Sequence, residues 1–444
     1  MLGSIDAVHG AYYFLMFGWT RVFGFSELSV RAPSLIAVSL SAVLMVEIGS
    51  KLRSIGFGLV AACFLVVLPR TQYVASDARS YALTILGAVA ATYVLLLIRE
   101  NRRPALYVLY AAIGSMTVAL SFFAFLLFIG HAVSVCWDGK LRKAWRGLLT
   151  ASAGWLAPAV VVGMAASRQQ FQISWIPPAG PSLVYEFSFL QFFSDAYFAD
   201  NGHIAPRPTY GEDFSMFALA CVLWSAAAAG ILMWRSNPLV LRLTLPWLIV
   251  PATIVVAGSI ATGGNYYLPR YLTFELPAFA LLAAAGATAL VRLPWFRRRL
   301  STWSAVGLAI VVVLTLPSYA GQRTQFGRDP QDDFRFISQG VEGLSGPGEA
   351  FVIGPAKSLV LQAYPEGFKG LGDPTRGISA AEWQRIFDQR FDVASSAEKI
   401  LPYRTVILVE KRSETAMADE LGKLGYKAGE SLSGPGTSVT RYSR

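Results

Sequence analysis

The protein has 444 residues and a net charge of +10, and its composition is 54% hydrophobic and only 15% charged. A soluble globular domain carries about 25% charged residues and about 45–50% apolar ones. Here the apolar residues come in blocks of about 17–22 residues, the length that a helix needs to cross a bilayer. Because a segment inside lipid must satisfy its own backbone hydrogen bonds, these blocks predict membrane-spanning α-helices and exclude an ordinary soluble protein.

The positive charge is unevenly distributed along the chain. The tail 321–444 has equal numbers of basic and acidic side chains, so the whole excess lies in 1–320. This distribution is typical of a membrane topology signal and argues against a nucleic-acid partner. The cysteines, Cys63, Cys136 and Cys221, all fall inside apolar blocks and indicate no disulfide framework.

In chain order, the apolar blocks predict about ten spanning helices, with boundaries good to a few residues. They lie near residues 33–52, 57–71, 81–98, 104–120, 121–137, 148–167, 214–234, 243–261, 271–291 and 303–320. We therefore expect a polytopic all-α bundle over 1–320.

Lysine and arginine are concentrated in alternate loops, which fixes the expected orientation. The rich loops hold Lys51, Arg53, Arg99, Arg102, Arg103, Lys140, Arg142, Lys143, Arg146, Arg235, Arg242, Arg292, Arg297, Arg298 and Arg299. The positive-inside rule makes these loops cytoplasmic. The N-terminal segment 1–32, the loop 168–213 and the tail are then expected on the non-cytoplasmic side of the plasma membrane.

The N-terminal segment has no signal-peptide pattern. Residues 10–24 are aromatic and amphipathic, which favours an interfacial helix over a span. An N-terminus on the outer side then predicts a further membrane helix ahead of Met1. The alternative is a short N-terminus followed by a re-entrant 10–24 segment.

The tail and the long loop 168–213 differ from the rest of the chain. Strand-like runs at 350–354 and 405–410 and helical runs near 379–390 and 413–425 predict a small α/β domain. We expect this domain to be extracytoplasmic. The loop is predicted to form a lid or an acceptor-binding wall, or else a solvated connection.

Three polar segments are predicted at outer ends of helices. In Ser76-Asp-Ala-Arg-Ser-Tyr81, Asp77 is suited to positioning a hydroxyl or a metal ion, and Arg79 to binding a phosphate with two hydrogen bonds. Tyr81 is expected to face the same vestibule. The alternative is that Asp77 only favours the dipole of the helix that begins after it.

The other two segments contain an arginine and a histidine. Arg270 and Tyr271 lie at a predicted helix start, a natural phosphate site, although an aromatic belt with a snorkelling arginine gives the same pattern. Asp6, His9 and Tyr12 combine an acid with groups that can donate to a phosphate. His131, on an apolar helix, is predicted to pack in the core.

These motifs stand in a characteristic order: Asp6-Ala-Val-His9 with Tyr12-Tyr13, then Arg31-Ala-Pro-Ser34, Asp77-Ala-Arg79-Ser-Tyr81 and Pro269-Arg270-Tyr271. In this the chain resembles the GT-C superfamily of polyprenyl-phosphate-sugar-dependent glycosyltransferases. It is most similar to the bacterial relatives of protein O-mannosyltransferases and the aminoarabinose transferases. The resemblance covers roughly 1–320 and a C-terminal domain of the periplasmic type.

The resemblance implies roles for particular residues. Asp77 and Asp6 are the candidate catalytic carboxylates, and phosphate or substrate binding falls to His9, Tyr12, Arg79, Tyr81, Arg270 and Tyr271. Family members carry an acidic pair, which supplies the catalytic base, after their first membrane helix. The sequence begins after that point, so we expect the helix and the pair ahead of Met1 or an inactive protein.

The resemblance also implies a function. We expect transfer of a mannose- or arabinose-class sugar from a polyprenyl-phosphate donor to a cell-envelope glycan or protein acceptor on the outer face, by direct displacement. Membrane lipid is a further expected partner. No metal-ligand spacing is present, and a divalent metal ion is left open as a cofactor. The alternative is a non-catalytic binder or flippase of lipid-linked sugars; a secondary transporter is disfavoured because no inverted repeat is visible.

Overall fold

A computed structural model describes residues 7–169, 176, 179–194, 197–200, 203–206, 213–233, 238–264, 266–291, 300–324, 333–383, 385 and 388–444. The chain divides into two compact units, which separate between Gly321 and Gln322. The first unit is helical and apolar, whereas the second contains a four-stranded sheet. Each unit has hydrophobic core clusters of its own.

The helices of the first unit follow the apolar blocks. They are α1 (Gly10–Phe23), α2 (Glu27–Leu52), α3 (Ile55–Val67), α4 (Pro69–Ala75), α5 (Tyr81–Glu100), α6 (Pro104–Leu120), α7 (Phe125–Trp137), α8 (Gly139–Arg142), α9 (Trp145–Ala151), α10 (Ala153–Arg168), α11 (Leu183–Phe193), α12 (Asp213–Leu232), α13 (Pro238–Thr262), α14 (Leu276–Leu290) and α15 (Leu300–Gly321). Short 3-10 turns precede α1, α7 and α14.

Within the described residues, 6 helices are long and apolar enough to cross a membrane, or up to 7 if the bent pair α3–α4 counts as one span. The shorter apolar helices α6, Phe122–Trp137 and Ala305–Gly321 correspond to the remaining predicted spans. The predicted fold class, a polytopic helical bundle with a small C-terminal sheet domain, is confirmed.

Two interruptions refine the predicted spans. The block predicted at 57–71 is bent by 71° between α3 and α4, where Pro69 begins the second helix. Proline suits a first helical position because its missing N–H needs no partner there. The block 104–137 breaks at Ser121, whose backbone is extended, so a tight turn separates α6 from α7.

The lysine- and arginine-rich helix ends meet at one end of the bundle, named here the basic end. Lys51 Nζ lies 2.9 Å from Glu100 Oε2, joining α2 to α5. The Arg99 guanidinium donates to both oxygens of Asp138, at 3.0 and 3.3 Å, and joins α5 to α7. Arg53 Nη1 donates to Thr288 Oγ1 at 3.0 Å and brings in α14.

Most residues of helix α14 are buried. It packs against α12 through small residues: a Cβ on Gly286 would lie 1.7 Å from the carbonyl oxygen of Ala226, and one on Gly230 would lie 2.6 Å from that of Leu282. Such close backbone contact is typical of helices in membranes, where small residues let dispersion forces act over short distances.

The described residues of the loop 168–213 form regular structure. It contains α11, with a π-helical turn at Glu186–Leu190, and an antiparallel pair of strands, β1 (Tyr197–Asp200) and β2 (His203–Pro206). The proposed lid or wall therefore has a helical component, which its mixed composition did not predict.

The second unit holds the strands β3 (Ala350–Ile353), β4 (Thr405–Lys411), β5 (Lys427–Ser433) and β6 (Thr437–Ser443) in the order β3-β4-β6-β5. β3 and β4, the two predicted strands, pair in parallel, and the other pairs are antiparallel. The helices are α16 (Phe334–Leu344), α17 (Val360–Ala363), α18 (Ala380–Trp383), α19 (Ala397–Ile400) and α20 (Ala416–Lys423).

One predicted helix of this unit is wrong over its second half. The helix expected near 379–390 ends at Trp383 among the described residues. Residues 388–391 instead pair with 375–378: Gly377 N–H donates to Gln389 O at 2.9 Å, and Phe391 N–H donates to Thr375 O at 2.9 Å. These cross-strand hydrogen bonds replace the helical ones.

Candidate functional site

The loop after α4 is held in place by α2. The Ser34 hydroxyl, fully buried on the first turns of α2, donates a hydrogen bond to the Asp77 carbonyl oxygen and lies 3.4 Å from that of Arg79. This contact holds the backbone of the Asp77–Arg79 step against α2. Ser34 lies in the Arg31-Ala-Pro-Ser34 motif but was not predicted to touch this loop.

The N-terminal segment lies against the same loop. The His9 ring meets the Tyr81 ring edge-on, with ring centroids 6.2 Å apart at 88°, and the Tyr13 ring at 6.4 Å. Tyr81, the first residue of α5, is buried, and His9 is half-buried. The 3-10 turn Ala7–His9 thereby places the histidine at the end of α5 where Asp77 and Arg79 lie.

The charges of Arg79 and Arg270 interact, although the two residues come from distant parts of the sequence. Removal of water acts to lower the pKa of Arg79, and the phenols of Tyr81 and Tyr13 raise it above its usual value. Asp77 also raises the pKa, whereas the positive charge of Arg270 opposes it. Two like charges that act on each other favour an anion bound near them. Arg79 is exposed and Arg270 half-buried.

Tyr12 brings a buried hydroxyl to this cluster. Its side chain is 3% exposed, and its hydroxyl makes no hydrogen bond with the residues that the structure describes. Burial raises the pKa of the Tyr12 phenol, and the negative charge of Asp77 raises it further, so the group stays protonated at neutral pH. A protonated phenol is available as a donor to an oxygen atom of a ligand.

Tyr271 lies beside Arg270 and forms an aromatic contact with the turn before α7. Its ring stacks on Phe123, with ring centroids 4.9 Å apart at 13°. The Arg270 guanidinium carbon lies 5.8 Å from the centre of the Tyr271 ring. The stacked pair therefore limits the positions that Arg270 can take.

A buried polar network joins α11 to α4 and to the residues that precede α14. Gln191 donates through Nε2 to Glu275 Oε2 and accepts from the Tyr267 hydroxyl at 2.9 Å. Arg70, 1% exposed in α4, donates to Leu190 O at 2.9 Å. The sequence did not predict these residues as part of the site; ionisable residues next to proline-bounded helix starts are the signal that could have found them.

The predicted site residues fall into three groups. His9, Tyr12, Asp77, Arg79, Tyr81 and Arg270 are linked by ring contacts or charge interactions, and Tyr271 lies beside them. Asp6 lies outside the described residues.

Among the residues that are described, no group of three or more His, Cys, Asp or Glu side chains is arranged to hold a metal ion.

No family model and no curated protein matches the sequence. Among solved structures, the chain is similar to ArnT from Cupriavidus metallidurans in the apo state, with a TM-score of 0.59 and 14% identity over 97% of this chain and 87% of that one. ArnT bound to undecaprenyl phosphate gives a TM-score of 0.53 and 13% identity with the same coverage. The archaeal oligosaccharyltransferase AglB from Archaeoglobus fulgidus, in complex with an inhibitory peptide and a dolichol-phosphate, gives 0.48 and 13% identity over 98% of this chain and 66% of that one.

Proposed function

We propose that this chain, which has the GT-C fold of the aminoarabinose transferase ArnT, is an integral membrane glycosyltransferase that uses a polyprenyl-phosphate-linked sugar. One observation carries the proposal: motifs from distant parts of the sequence meet at the start of α5, where the Ser34 hydroxyl donates to the Asp77 carbonyl oxygen and the His9 ring contacts the Tyr81 ring. The charge of Arg270 also acts on Arg79 in this loop. ArnT has been seen bound to undecaprenyl phosphate, a ligand of matching charge. We further propose a mannose- or arabinose-class sugar and a cell-envelope acceptor.

The two arginines are suited to the lipid phosphate. Each guanidinium donates two parallel hydrogen bonds to phosphate oxygens, and the anion relieves the repulsion between the two positive charges. During transfer the phosphate gains negative charge as it leaves the sugar. Donors that are already in position stabilise this developing charge without reorganisation, which lowers the barrier. The Tyr12 hydroxyl and the His9 ring supply further donors.

The proposed reaction is a single displacement. The hydroxyl oxygen of the acceptor bonds to the anomeric carbon, the bond from that carbon to the phosphate oxygen breaks, and the lipid phosphate leaves with the electron pair. The hydroxyl proton passes to a carboxylate acting as general base. Asp77 is our candidate, since its charge acts on both Tyr12 and Arg79. Asp6 is the second candidate.

The side of the membrane that the site faces is inferred from the position of the basic end. The contacts of Lys51, Arg53 and Arg99 place the basic loops opposite to the start of α5. With the basic end cytoplasmic, the site opens on the non-cytoplasmic face of the plasma membrane. The acceptor would bind to the site from that face.

The test compares Arg79→Gln and Arg270→Gln with Arg168→Gln, an exposed arginine at the end of α10. Undecaprenyl phosphate binding to the purified protein and transfer of radiolabelled mannose or arabinose from polyprenyl donors are measured. We expect each of the first two variants to weaken lipid binding about tenfold or more, since a charge-assisted hydrogen bond is lost. Arg168→Gln should bind as the wild type does.

Equal lipid binding by all three variants would exclude the phosphate site. Lipid binding by the wild type with no transfer from any donor would instead favour the non-catalytic binder or flippase.

A further inference from the structure

Helix α11 is bonded to both of the segments that carry the proposed phosphate-binding arginines. One segment is α4 with the loop that follows it, which holds Arg79; the other is 266–275, which holds Arg270 and is named here the Arg270 segment. Two consecutive residues of α11 make these bonds, Leu190 to α4 and Gln191 to the Arg270 segment. A single helix therefore joins two segments that lie far apart in the sequence.

The Gln191 side chain bonds to the Arg270 segment on both sides of the arginine. Its Oε1 accepts from the Tyr267 hydroxyl at 2.9 Å, and its Nε2 donates to Glu275 Oε2. Tyr267 precedes Arg270 in the sequence and Glu275 follows it, so one amide bridges the segment that carries the arginine. The side chains of Gln191, Tyr267 and Glu275 are all buried, and water does not compete for these bonds.

The Arg270 segment depends on such bonds because it is not an α-helix. It consists of turns and the short 3-10 helix Thr273–Glu275. A segment without a helical ladder takes its position from bonds to its neighbours. Trp247 of α13 supplies one of them, since its Nε1 donates to Phe274 O at 2.8 Å. The Gln191 bridge supplies the bonds to α11, and it spans the residue that is proposed to bind phosphate.

Helix α4 is bonded to the preceding residue of α11. It has 7 residues, too few for a stable helix by itself, and it is bent by 71° from α3. Arg70 is buried and donates through Nη2 to Leu190 O at 2.9 Å. The Asp77 N–H donates to Val74 O at 3.2 Å, so the loop continues directly from the end of α4. The loop that holds Arg79 is thereby connected to α11.

Helix α11 is itself packed on α12 and α14. The Phe192 ring lies 4.5 Å from the Phe279 ring of α14, measured between centroids, and Trp224 Nε1 of α12 donates to Ser188 O at 2.7 Å. Supporting residues that are held by packing and hydrogen bonds keep the groups that touch a ligand in place. The packing of α11 therefore bears on the positions of both arginines.

We propose that Gln191 is a positioning residue of the lipid-phosphate site, which holds Arg270 at the distance from Arg79 at which both can bind one phosphate. This inference rests on the proposed function. Two guanidinium groups share a phosphate only when each reaches its oxygens, and a misplacement of about 1 Å is enough to lose much of the binding. In this role Gln191 acts through Arg270 and touches neither the donor nor the acceptor.

The test opens the bridge and then closes it again, with undecaprenyl phosphate binding to the full-length protein in detergent as the measurement. Gln191→Met keeps the length of the side chain but removes both hydrogen bonds, and Gln191→Glu replaces the donor to Glu275 by an acceptor. We expect each to weaken lipid binding about tenfold. Adding Glu275→Gln to Gln191→Glu restores a donor opposite the new carboxylate, which still accepts from Tyr267. We expect this double variant to bind within about twofold of the wild type.

Two further measurements separate positioning from a general loss of stability. Hydrogen–deuterium exchange of the Arg270 segment, measured without lipid, should be faster in Gln191→Met and should return to the wild-type rate in the double variant. In an Arg270→Gln background, Gln191→Met should weaken lipid binding much less than it does in the wild type, because the residue through which it acts is already removed. The matched control is Asp138→Asn, which breaks the buried ion pair with Arg99 at the basic end; it should lower the thermal unfolding midpoint and leave lipid binding unchanged.

Wild-type lipid affinity in Gln191→Met, or an equal loss of affinity with and without Arg270, would overturn the positioning role and leave the proposed function standing. Weaker binding by Gln191→Glu alone, with Gln191→Met unchanged, would show that the added charge acts and not the bridge. Lack of lipid binding by the wild-type protein would overturn the proposed function and the positioning role with it; faster exchange in Gln191→Met would then show a bridge that serves the fold only.

Discussion

At the scale of single residues, two histidines differ in role because their surroundings differ: His131 is a core residue and His9 a candidate site residue. His131 is buried between the Tyr110 hydroxyl, 2.9 Å from Nδ1, and the Thr92 hydroxyl, 3.1 Å from Nε2. Both of its ring nitrogens are therefore engaged inside the bundle, as its apolar helix predicted. His9 instead lies half-buried, with its ring edge-on to that of Tyr81 among the residues proposed to bind the lipid phosphate.

The substitution Tyr12→Phe tests whether the Tyr12 hydroxyl binds the lipid phosphate. The Tyr12 hydroxyl has no hydrogen-bond partner in the described part of the chain, so its removal should leave thermal stability unchanged or slightly higher. If the Tyr12 hydroxyl donates to the lipid phosphate, Tyr12→Phe should lower the affinity for undecaprenyl phosphate about two- to tenfold. This is the loss expected when one hydrogen bond from an uncharged donor is removed.

The matched control is Tyr93→Phe, a tyrosine near Lys51 at the basic end, which should leave lipid affinity unchanged. A loss of stability in Tyr12→Phe without any loss of lipid affinity would show that the hydroxyl is structural.

At the scale of helices, small residues decide how closely the bundle packs. The contact of Gly286 with the backbone of Ala226 leaves no room for a side chain, because the obstructing atom is a carbonyl oxygen rather than the end of a flexible group. The position of α14, and with it the position of the Arg270 loop at its N-terminal end, depends on this contact.

Gly286→Ala should therefore destabilise the protein by about 1–3 kcal/mol, because the added methyl group forces α12 and α14 apart. The thermal unfolding midpoint in detergent measures the change. Gly307→Ala is the control: a Cβ there meets nothing within 4 Å, and alanine should slightly stabilise that helix. Equal unfolding midpoints for Gly286→Ala and Gly307→Ala would mean that α12 and α14 can move apart without loss of stability.

At the scale of the whole molecule, the alternation of basic and neutral loops predicts a single orientation. A cysteine-free background with Ser413→Cys in the tail or Lys140→Cys at the basic end tests it, since both positions are exposed. A membrane-impermeant maleimide should label Ser413→Cys in intact bacterial cells and Lys140→Cys only after permeabilisation. The reverse pattern would place the site and the tail on the cytoplasmic side.

The sequence by itself determined the helical bundle, most helix boundaries and the strands β3 and β4. These depend on the length of apolar blocks and on local patterns, which a single chain displays directly. It also singled out Asp77, Arg79 and Arg270, because ionisable residues are rare in apolar surroundings.

Only the tertiary structure decided which of these residues meet. Ser34 reaches a carbonyl 43 positions away, and Gln191 reaches Glu275 84 positions away. Residues 388–391 form cross-strand hydrogen bonds with 375–378 where the sequence predicted a helix. Such contacts depend on helix crossings set by small residues and on hydrogen bonds between distant segments, and neither leaves a periodic signal in the sequence.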